Sequence, residues 1–327
     1  NKEECDLFVV SGDLFDRVSV AKKDIQRAAT LLCEFQGKLV AVLPGNHDYY
    51  TKRTDGLWAV FKGYADNHVI VLEEKKTYPL KTFDLDAILY PAPCDAKHSS
   101  ENYVGWIKEV EKDKNVLFHI GIAHGSLEGL SPDFNNDYYP MTLNELLECN
   151  MDLWLMGHTH IPYPLNPGPQ SKIFYPGTPE PDGFDCNHDG KALVLDIDKE
   201  KIIKATFFST GTFRFLSEVR KISSNIDILS LKDKYTDLAH KNTLLKLKLK
   251  GSLPEEEYRE LQVIQKELEE NLCFLRLDLS KVTIKITPEL IEKEFTEQSF
   301  PYILLKALEN DPEALQIAYE LIKEVQK

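Results

Sequence analysis

The stretch DLFVVSGDLFD at residues 6–16 runs from a continuous apolar segment directly into a turn that carries two aspartates. An uninterrupted apolar run of this length predicts a strand that is buried on both faces, as in a sheet covered by helices. The same pattern recurs at residues 39–48, LVAVLPGNHD, where Pro-Gly ends the apolar run. We therefore predict an α/β fold whose polar residues gather where its strands end.

Further apolar runs predict strands along the first 160 residues, with amphipathic segments between them. The predicted strands are Asp6–Ser11, Leu39–Leu43, Val69–Leu72, Ala87–Tyr90, Val116–Ala123 and Leu153–Met156. We expect Ser19 to cap the first helix, and we predict two more helices near Tyr103–Glu111 and Leu143–Cys149. Short strands at residues 191–208 predict a hairpin that extends the sheet.

The sequence pattern changes after about Ser209. Leucine and lysine alternate at residues 245–250, which predicts a strand with one apolar and one basic face. A helix that begins near Pro254 and a strand at Leu275–Leu279 follow, and Asp311-Pro312 predicts the start of a last helix. We predict three parts: residues 1–208, a smaller α+β domain at 209–286, and a helical segment at 287–327.

Composition and charge restrict the classes of function. The chain has 327 residues with a net charge of −14, of which residues 1–208 carry −11 and residues 209–327 carry −3. An anionic substrate therefore needs bound cations in the first part, or local basic stripes in the second. No apolar run approaches the roughly 18 residues of a membrane span. Six cysteines without a C-x-x-C pair predict free thiols and a cytoplasmic, intracellular protein.

Four short motifs each follow an apolar run: GDLFD at residues 12–16, GNHD at 45–48, His124-Gly125, and GHTH at 157–160. Aspartate, asparagine and histidine supply oxygen and nitrogen donors, which suit Mn²⁺, Fe or Zn²⁺. A carboxylate can bridge two cations, and glycines allow a phosphate to approach the backbone. Together the motifs predict a two-metal phosphoester hydrolase.

The motifs and their order resemble the calcineurin-like metallophosphoesterase superfamily over about residues 5–208. The resemblance implies a two-layered β-sandwich flanked by helices, with a capping domain and C-terminal helices after it. The segment YPGTPEP at residues 175–181 and the following domain resemble, more narrowly, the SbcD-type DNA double-strand-break repair nucleases. That likeness implies exonuclease and endonuclease action on DNA, two divalent ions with Mn²⁺ favoured, an SMC-like coiled-coil ATPase partner and a homodimer.

The resemblance also implies a role for individual residues. Asp13 would bridge the two metals, and His160 would bind the first of them. The second metal would be completed by Asn46, His124 and His158.

Three further residues would act around these ligands. His47 would be a catalytic histidine that faces the scissile phosphate without binding metal. Asp16 and Asp48 would be carboxylates that orient histidines. The stripe of Lys246, Lys248 and Lys250 either contacts a phosphate backbone or is a solvated strand face.

One departure from the superfamily pattern concerns its first motif, D-x-H, which supplies two further ligands. Nothing in the twelve residues before Asp13 matches it. Either the strand that carries it lies outside this sequence, or half of a metal site has been lost. We favour the first explanation, because loss of a central strand would expose the apolar flank of residues 6–11.

Two other functions remain open at the level of sequence. The fold hosts phosphomonoesterases and cyclic-nucleotide phosphodiesterases, so the metal ligands do not select the substrate. A non-catalytic scaffold on the same fold would follow from a true loss of D-x-H.

Overall fold

The computed structural model describes residues 1–131, 133–186, 188–237 and 241–326, and these divide into two compact units. The first unit contains residues 1–180 and 190–211, and the second contains residues 181–189 and 212–327. The main boundary thus lies close to the predicted one at residue 208. The C-terminal segment 287–327 is grouped with the second unit, as is a piece of the loop at 181–189.

The first unit alternates strands and short helices. Its strands are β1 (Leu7–Ser11), β2 (Leu39–Leu43), β3 (Val69–Val71), β4 (Tyr78–Pro79), β5 (Ala87–Ala92), β6 (Phe118–His124), β7 (Leu153–Gly157), β8 (Ile173–Phe174), β9 (Lys191–Ile197) and β10 (Ile203–Ser209). Its α-helices are α1 (Lys22–Cys33), α2 (Leu57–Lys62), α3 (Gly105–Lys108) and α4 (Leu143–Glu148). The predicted strands are therefore present, with bounds that shift by one or two residues.

Two sheets with largely parallel strands make up the layers of this unit. Their orders are β1-β2-β3 and β4-β5-β6-β7-β8, where only β4 runs antiparallel to its neighbour. Leu39, Leu89, Ile122 and Leu153 belong to one apolar core that joins the inner faces of both sheets. The outer faces are covered by helices, so the unit is a β-sandwich flanked by helices and the predicted mixed α/β class is confirmed.

The strand β2 shows why this sequence folds into these layers. All five of its residues are buried. Leu39, Ala41 and Leu43 point into the core between the sheets, whereas Val40 and Val42 pack with Ile25 of α1 and Trp58 of α2. A strand that is buried on both faces needs an apolar residue at every position, and residues 39–43 provide one.

Three local predictions for the first unit differ from the structure. Helix α1 begins at Lys22 after Ala21, which makes no side-chain cap, so Ser19 is not its cap. The helix predicted at Tyr103–Glu111 is a single turn, and Asn102 accepts the backbone N–H groups of Val104 and Gly105 before it. The hairpin β9–β10 forms a two-stranded sheet of its own within the described residues and does not extend its neighbours.

The second unit repeats a strand–helix–strand pattern. Its elements are β11 (Arg214–Ile222), α5 (Asn225–Asp237), β12 (Thr243–Leu253), α6 (Glu255–Asn271), β13 (Phe274–Ile284), α7 (Pro288–Glu294), α8 (Phe300–Ala307) and α9 (Pro312–Val325). The three strands are parallel in the order β11-β12-β13, so this sheet is α/β in character where an α+β domain was predicted. Sequence reasoning missed β11 and α5, because neither shows a clean apolar period.

Each part of the second unit has its own apolar core. Leu245, Leu247 and Leu249 pack with Leu261 and Ile264 of α6 on one face of the sheet. A separate core joins the three C-terminal helices through Leu290, Ile291, Leu305, Leu315 and Tyr319. Asp311 accepts the backbone N–H of Ala314, as its position before Pro312 predicts. None of the described helices is both long and apolar enough to cross a lipid bilayer.

Candidate metal centre

The four polar motifs lie at the carboxyl ends of four strands. The turns follow β1 and β2 in one sheet, and β6 and β7 in the other, and β1 lies close to both β6 and β7. Because parallel strands end at the same edge of a sheet, the two layers bring these turns together. Of the residues assigned to metal binding, the structure joins four in one set of contacts: His124 contacts Asp13 and Asn46, and Asn46 also contacts His158.

His124 is the centre of this group and is almost completely buried. Its Nδ1 lies 2.8 Å from the carbonyl oxygen of Ser11, an acceptor that fixes a proton on this nitrogen. Its Nε2 lies 3.1 Å from Oδ2 of Asp13 and 2.9 Å from Oδ1 of Asn46. A backbone carbonyl that fixes the tautomer in this way leaves Nε2 as the metal-binding nitrogen.

Asn46 is held so that its oxygen faces the histidines. Its Nδ2 donates to the carbonyl oxygen of Lys97 at 3.4 Å, and its Oδ1 lies 3.3 Å from Nδ1 of His158. The amide oxygen, the carboxylate of Asp13 and Nε2 of His124 are all acceptors when the imidazole is neutral. Acceptors that converge in a buried site need a cation between them, either a proton or a metal ion.

The pKa values of these groups reflect two opposing effects, burial and the interaction between Asp13 and His124. Burial acts to raise the pKa of Asp13, but the hydrogen bond and charge of His124 lower it below its ordinary value. Burial acts to lower the pKa of His124, but Asp13 raises it. Burial, with the charge of His124 second, lowers the pKa of His158 to about 4, so this imidazole is neutral at pH 7 with a lone pair available.

The backbone adopts rare conformations at these turns. Asp13 and His158 have φ angles of 53° and 89°, in the left-handed region that non-glycine residues seldom occupy. A Cβ on Gly157 would lie 1.8 Å from the carbonyl oxygen of Ser11 and 2.7 Å from Nδ1 of His124. A Cβ on Gly12 would lie 2.0 Å from the same nitrogen. These two glycines are therefore required for His124 to bond the end of β1.

His47 lies at the edge of the group and is accessible. Its backbone N–H donates to Oδ1 of Asp13 at 2.9 Å, and its Nδ1 lies 3.0 Å from the carbonyl oxygen of Asp16. The carbonyl fixes the proton on Nδ1, so Nε2 is the nitrogen that can exchange a proton with a substrate. The side chain is 43% exposed, unlike that of His124, which suits a residue that meets the substrate.

The two aspartates assigned to orient histidines have different contacts. Asp16 is exposed, and it holds His47 through its backbone carbonyl, with its own carboxylate 3.8 Å from Nδ1. The carboxylate of Asp48 is fully buried and accepts the backbone N–H groups of Phe15 at 3.0 Å and Gly45 at 2.7 Å. The carboxylate of Asp48 therefore joins the first two motifs through their backbone, and within the described residues its hydrogen bonds go to these N–H groups and not to a histidine. Burial, with repulsion by Asp13 second, raises the pKa of Asp48 to about 6.

His160 and the lysine stripe are the remaining residues that were assigned to metal or substrate binding. His160 is exposed, two residues beyond His158 on the same turn. It lines the same cavity as Asp13 and His47. Lys246, Lys248 and Lys250 lie on β12 in the second unit, on the face of the sheet opposite its buried leucines.

The donor set fits divalent cations. One carboxylate, one amide oxygen and imidazole nitrogens are the hard and borderline ligands that Mn²⁺ and related ions prefer. Among the described residues, no three His, Cys, Asp or Glu side chains form a ready coordination shell. The candidate donors are instead Asp13 and His124, the amide oxygen of Asn46, and His158, which contacts that oxygen.

A large cavity adjoins the site along β1. It has a volume of about 1590 Å³ and extends from Asp13 and His158 along β1, β7 and β9. The edge of β1 that faces away from β2 has no hydrogen-bonded strand in the part of the chain that the structure describes. Phe8 of β1 is 43% exposed, so the apolar flank of residues 6–11 is open here.

The loop that carries Tyr138 also borders the site. From the sequence NNDYYP we expect its two adjacent tyrosines either to stack on a base or, as the favoured interpretation, to pack within the loop. Tyr139 is indeed buried, whereas the ring of Tyr138 stacks on His158 with 5.2 Å between centroids. The periodicity of a loop does not show which tyrosine points inward, so no sequence signal could have separated them.

The first unit thus has two stacked sheets of a mixed α/β fold, with candidate metal ligands of the Asp, Asn and His types gathered where the strands end. In a comparison with known proteins, residues 1–162 match the calcineurin-like phosphoesterase family model. The resemblance drawn from the four motifs is thereby confirmed at the level of the superfamily.

A relative with a similar sequence is the uncharacterized metallophosphoesterase YhaO of Bacillus subtilis (strain 168). The two proteins are 28% identical over 184 residues, which is 54% of this chain and 41% of YhaO. The match thus spans less than half of the relative's length. Neither comparison distinguishes SbcD-type nucleases from other members of the superfamily.

Proposed function

We propose that this protein is a Mn²⁺-dependent phosphodiesterase that cleaves DNA, as an exonuclease and endonuclease subunit in double-strand-break repair. The hydrolase chemistry rests on the convergence of Asp13, Asn46 and His124 on one point. The choice of DNA rests on a basic sheet face in the second unit, together with the resemblance of the chain to SbcD-type nucleases.

In the proposed mechanism, Asp13, Asn46, His124, His158 and His160 would hold two divalent cations, which would neutralise the phosphate and lower the pKa of the attacking water. The carbonyl of Ser11 keeps Nε2 of His124 directed at Oδ2 of Asp13 and Oδ1 of Asn46. The carbonyl of Asp16 keeps the proton of His47 on Nδ1, so protonated Nε2 can stabilise the transition state and donate a proton to the leaving oxygen.

The basic sheet face supports a polyanionic substrate. The strand register places the following side chains on the face of β11–β13 that lies opposite the buried leucines: Lys221, Lys246, Lys248, Lys250, Arg276 and Lys281, with Asp278. Lys248 pairs with Asp278 at 2.8 Å. No ion pair is found for the other five cations in the described part of the chain. Uncompensated cations on one face of an acidic protein are the pattern of a phosphate-backbone contact.

Aromatic rings lie at one end of the same face. Phe215 and Phe274 occupy one row of the register, and the ring of Phe184 contacts both, at 5.3 and 6.3 Å between centroids. Basic side chains beside aromatic rings are typical of surfaces that bind nucleic acids by charge and base stacking. A small phosphoester would need neither feature, which favours DNA over a phosphomonoester or cyclic nucleotide.

The proposed partner, an SMC-like coiled-coil ATPase, would need an apolar helical surface. Helix α9 exposes Ile317, Leu321 and Val325 at a spacing of four residues, and α8 exposes Phe300 and Ile303. Such stripes suit packing against the helices of a coiled coil. A homodimer belongs to the same proposal.

The test is digestion of end-labelled single-stranded and duplex DNA by the whole chain, with Mn²⁺, with Mg²⁺ and with a chelator. We expect metal-dependent cleavage that falls by about 10²- to 10⁴-fold in His47→Ala, the range for loss of one general acid. Mn²⁺ content should stay the same, because His47 is not among the converging donors. His68→Ala, a histidine of the same unit outside the site, is the matched control.

The alternative outcomes identify the rival functions. Turnover of small phosphoesters without action on DNA would replace the substrate in this proposal. Absence of both activities and of Mn²⁺ binding would favour a non-catalytic scaffold. Unchanged cleavage in His47→Ala would overturn the role of that histidine.

A further inference from the structure

The amide of Asn46 must point in one direction if this residue is to serve as a metal ligand. Asn46 is 1% exposed, and only the oxygen of an amide can bind a cation, because the nitrogen is a donor. Oδ1 lies 2.9 Å from Nε2 of His124, whereas Nδ2 donates to the carbonyl oxygen of Lys97 at 3.4 Å. No other acceptor for Nδ2 is found in the part of the chain that the structure describes. The carbonyl of Lys97 therefore decides which end of the amide faces the histidines.

The segment that supplies this carbonyl, residues 94–97, follows β5 and lies beside the GNHD motif. The Cys94 N–H donates to the carbonyl of Pro44 at 3.1 Å, and the Tyr50 N–H donates to the carbonyl of Cys94 at 2.8 Å. Because Pro44 precedes the motif and Tyr50 follows it, these two bonds fix the start of the segment on both sides of Asn46. They do not hold Lys97, which lies at the other end of the segment.

Tyr139 holds that other end through a single hydroxyl group. The hydroxyl accepts the Ala96 N–H at 2.9 Å and donates to the Ala96 carbonyl at 2.6 Å. Tyr139 is 1% exposed, and burial raises the pKa of its hydroxyl above the ordinary value, so the hydroxyl keeps the proton that it donates. Both peptide groups of Ala96 are thus fixed, and the second of them joins Ala96 to Lys97.

Tyr139 itself is held by contacts outside the group of converging donors. Its N–H donates to the Ser99 carbonyl at 2.8 Å, and its ring packs edge-on against that of Tyr103, with 4.6 Å between centroids. Tyr103 is 7% exposed, and its hydroxyl donates to the carboxylate of Asp95. The hydroxyl of Tyr139 is therefore a fixed point against which residues 96 and 97 are placed.

We propose that Tyr139 is a positioning residue for the metal ligand Asn46. Its hydroxyl fixes Ala96, so that the carbonyl of Lys97 keeps Nδ2 of Asn46 turned away and leaves Oδ1 for the cation. Without the hydroxyl, this carbonyl moves and the amide can turn its nitrogen towards the cation. The proposal rests on the part of the proposed function that makes Asn46 a ligand. It assigns Tyr139 no contact with the substrate and no transfer of a proton.

The first measurement is calorimetric titration of the whole chain with Mn²⁺. Tyr139→Phe keeps the ring and removes only the hydroxyl. We expect it to bind Mn²⁺ about 10- to 100-fold more weakly than the wild type, the range for loss of a group that orients a ligand. Tyr90→Phe is the matched control, because Tyr90 is equally buried and its hydroxyl lies 2.9 Å from Nδ1 of His119, at the opposite end of β6 from His124. Its Mn²⁺ affinity should equal that of the wild type.

A double-mutant cycle separates positioning from a general loss of structure. Asn46→Asp replaces the amide by a carboxylate, whose two equivalent oxygens need no choice of direction. Addition of Tyr139→Phe to Asn46→Asp should therefore change the Mn²⁺ affinity by less than about 2-fold, the margin within which measured effects add. A hydroxyl with a purely structural role would weaken binding by the same factor in both backgrounds. Urea denaturation without metal verifies that each variant is folded.

The outcomes separate this inference from the proposed function. An Mn²⁺ affinity that depends on Tyr139 in the wild-type background alone, without cleavage of DNA, would reject the proposed function and keep the positioning role. Equal affinity in the wild type and Tyr139→Phe, or the same loss in both backgrounds, would overturn the positioning role and keep the metal site. Absence of Mn²⁺ binding to the wild type would reject both.

Discussion

The candidate metal centre of the first unit and the basic face of the second unit differ in how their charged and polar side chains are arranged. At the metal centre, a few acceptors converge on one buried point, and His124 is 3% exposed. On the sheet face, six cations are spread over three strands, and most are exposed. Where a few side chains converge on one point, the loss of any one of them should strongly weaken binding. Where many cations share a surface, the loss of one should weaken binding only slightly. The comparison therefore predicts steep effects of mutation in one unit and graded effects in the other.

The steepest effect on stability should come from Asp48→Ala. The substitution leaves two buried backbone N–H groups, of Phe15 and Gly45, without an acceptor. At about 1–3 kcal/mol for each group, the free energy of unfolding should fall by about 2–6 kcal/mol. Urea denaturation measures this directly. Asp16→Ala is the control, because loss of its exposed carboxylate should change the free energy of unfolding by no more than about 0.5 kcal/mol. An equal loss of stability in both variants would contradict the role of Asp48 in joining the two motifs.

Gly157→Ala should come next, and it acts on metal binding. The new Cβ overlaps the carbonyl of Ser11 and approaches Nδ1 of His124, so the ring must move. Displacement of a residue that orients a ligand typically costs about 10- to 100-fold in metal affinity. Mn²⁺ titration measures this loss. Gly168→Ala, at a glycine with open space around its Cα, should bind Mn²⁺ as the wild type does; if both variants bind equally, the close approach at Gly157 has no role.

The basic face should respond in small steps. Each uncompensated cation removed should lower the slope of log affinity for DNA against log salt by about 1. Lys246→Ala with Arg276→Ala should thus lower it by about 2, and Lys248→Ala by less, because Asp278 already pairs with Lys248. Lys232→Ala, at a lysine of α5 that pairs with Glu267, is the control. A slope that stays constant in the double variant would remove the basic face from DNA binding.

The smallest effect concerns the C-terminal helices. Asp311→Ala removes the side-chain acceptor for the Ala314 N–H at the start of α9. Loss of such a cap costs about 0.5–2 kcal/mol of stability. Ser19→Ala should change nothing, because α1 begins three residues later without its help. Thermal unfolding of the two variants measures both effects. A larger loss of stability in Ser19→Ala than in Asp311→Ala would contradict both cap assignments.

The sequence predicts the features that depend on local pattern. Residues 39–43 are apolar at every position, so β2 and its burial on both faces follow directly. The order of four strand-end motifs predicts that Asp13, Asn46, His124 and His158 meet. In both cases the information lies within a few residues and a general rule of α/β sheets.

What the sequence does not predict depends on contacts between distant segments. Asp48 lies in the GNHD motif, but its partners are backbone groups of Phe15 and Gly45, which carry no side-chain signature. Tyr138 and Tyr139 are neighbours with the same chemistry, and only the bonds of Tyr139 to Ala96 and Ser99 decide which ring reaches His158. Strand β11 was missed because its exposed Val219 and half-buried Glu218 disturb the alternation.

Calorimetric titration with Mn²⁺ tests the central claim most directly, with the wild type compared to Asp13→Asn and to Asp55→Asn, an exposed aspartate of the same unit. The convergence of Asp13, Asn46 and His124 predicts saturable binding to the wild type and to Asp55→Asn, and binding at least about 10-fold weaker in Asp13→Asn. Equal affinity in all three proteins, or no binding to any of them, would contradict the assignment of this site as a metal centre.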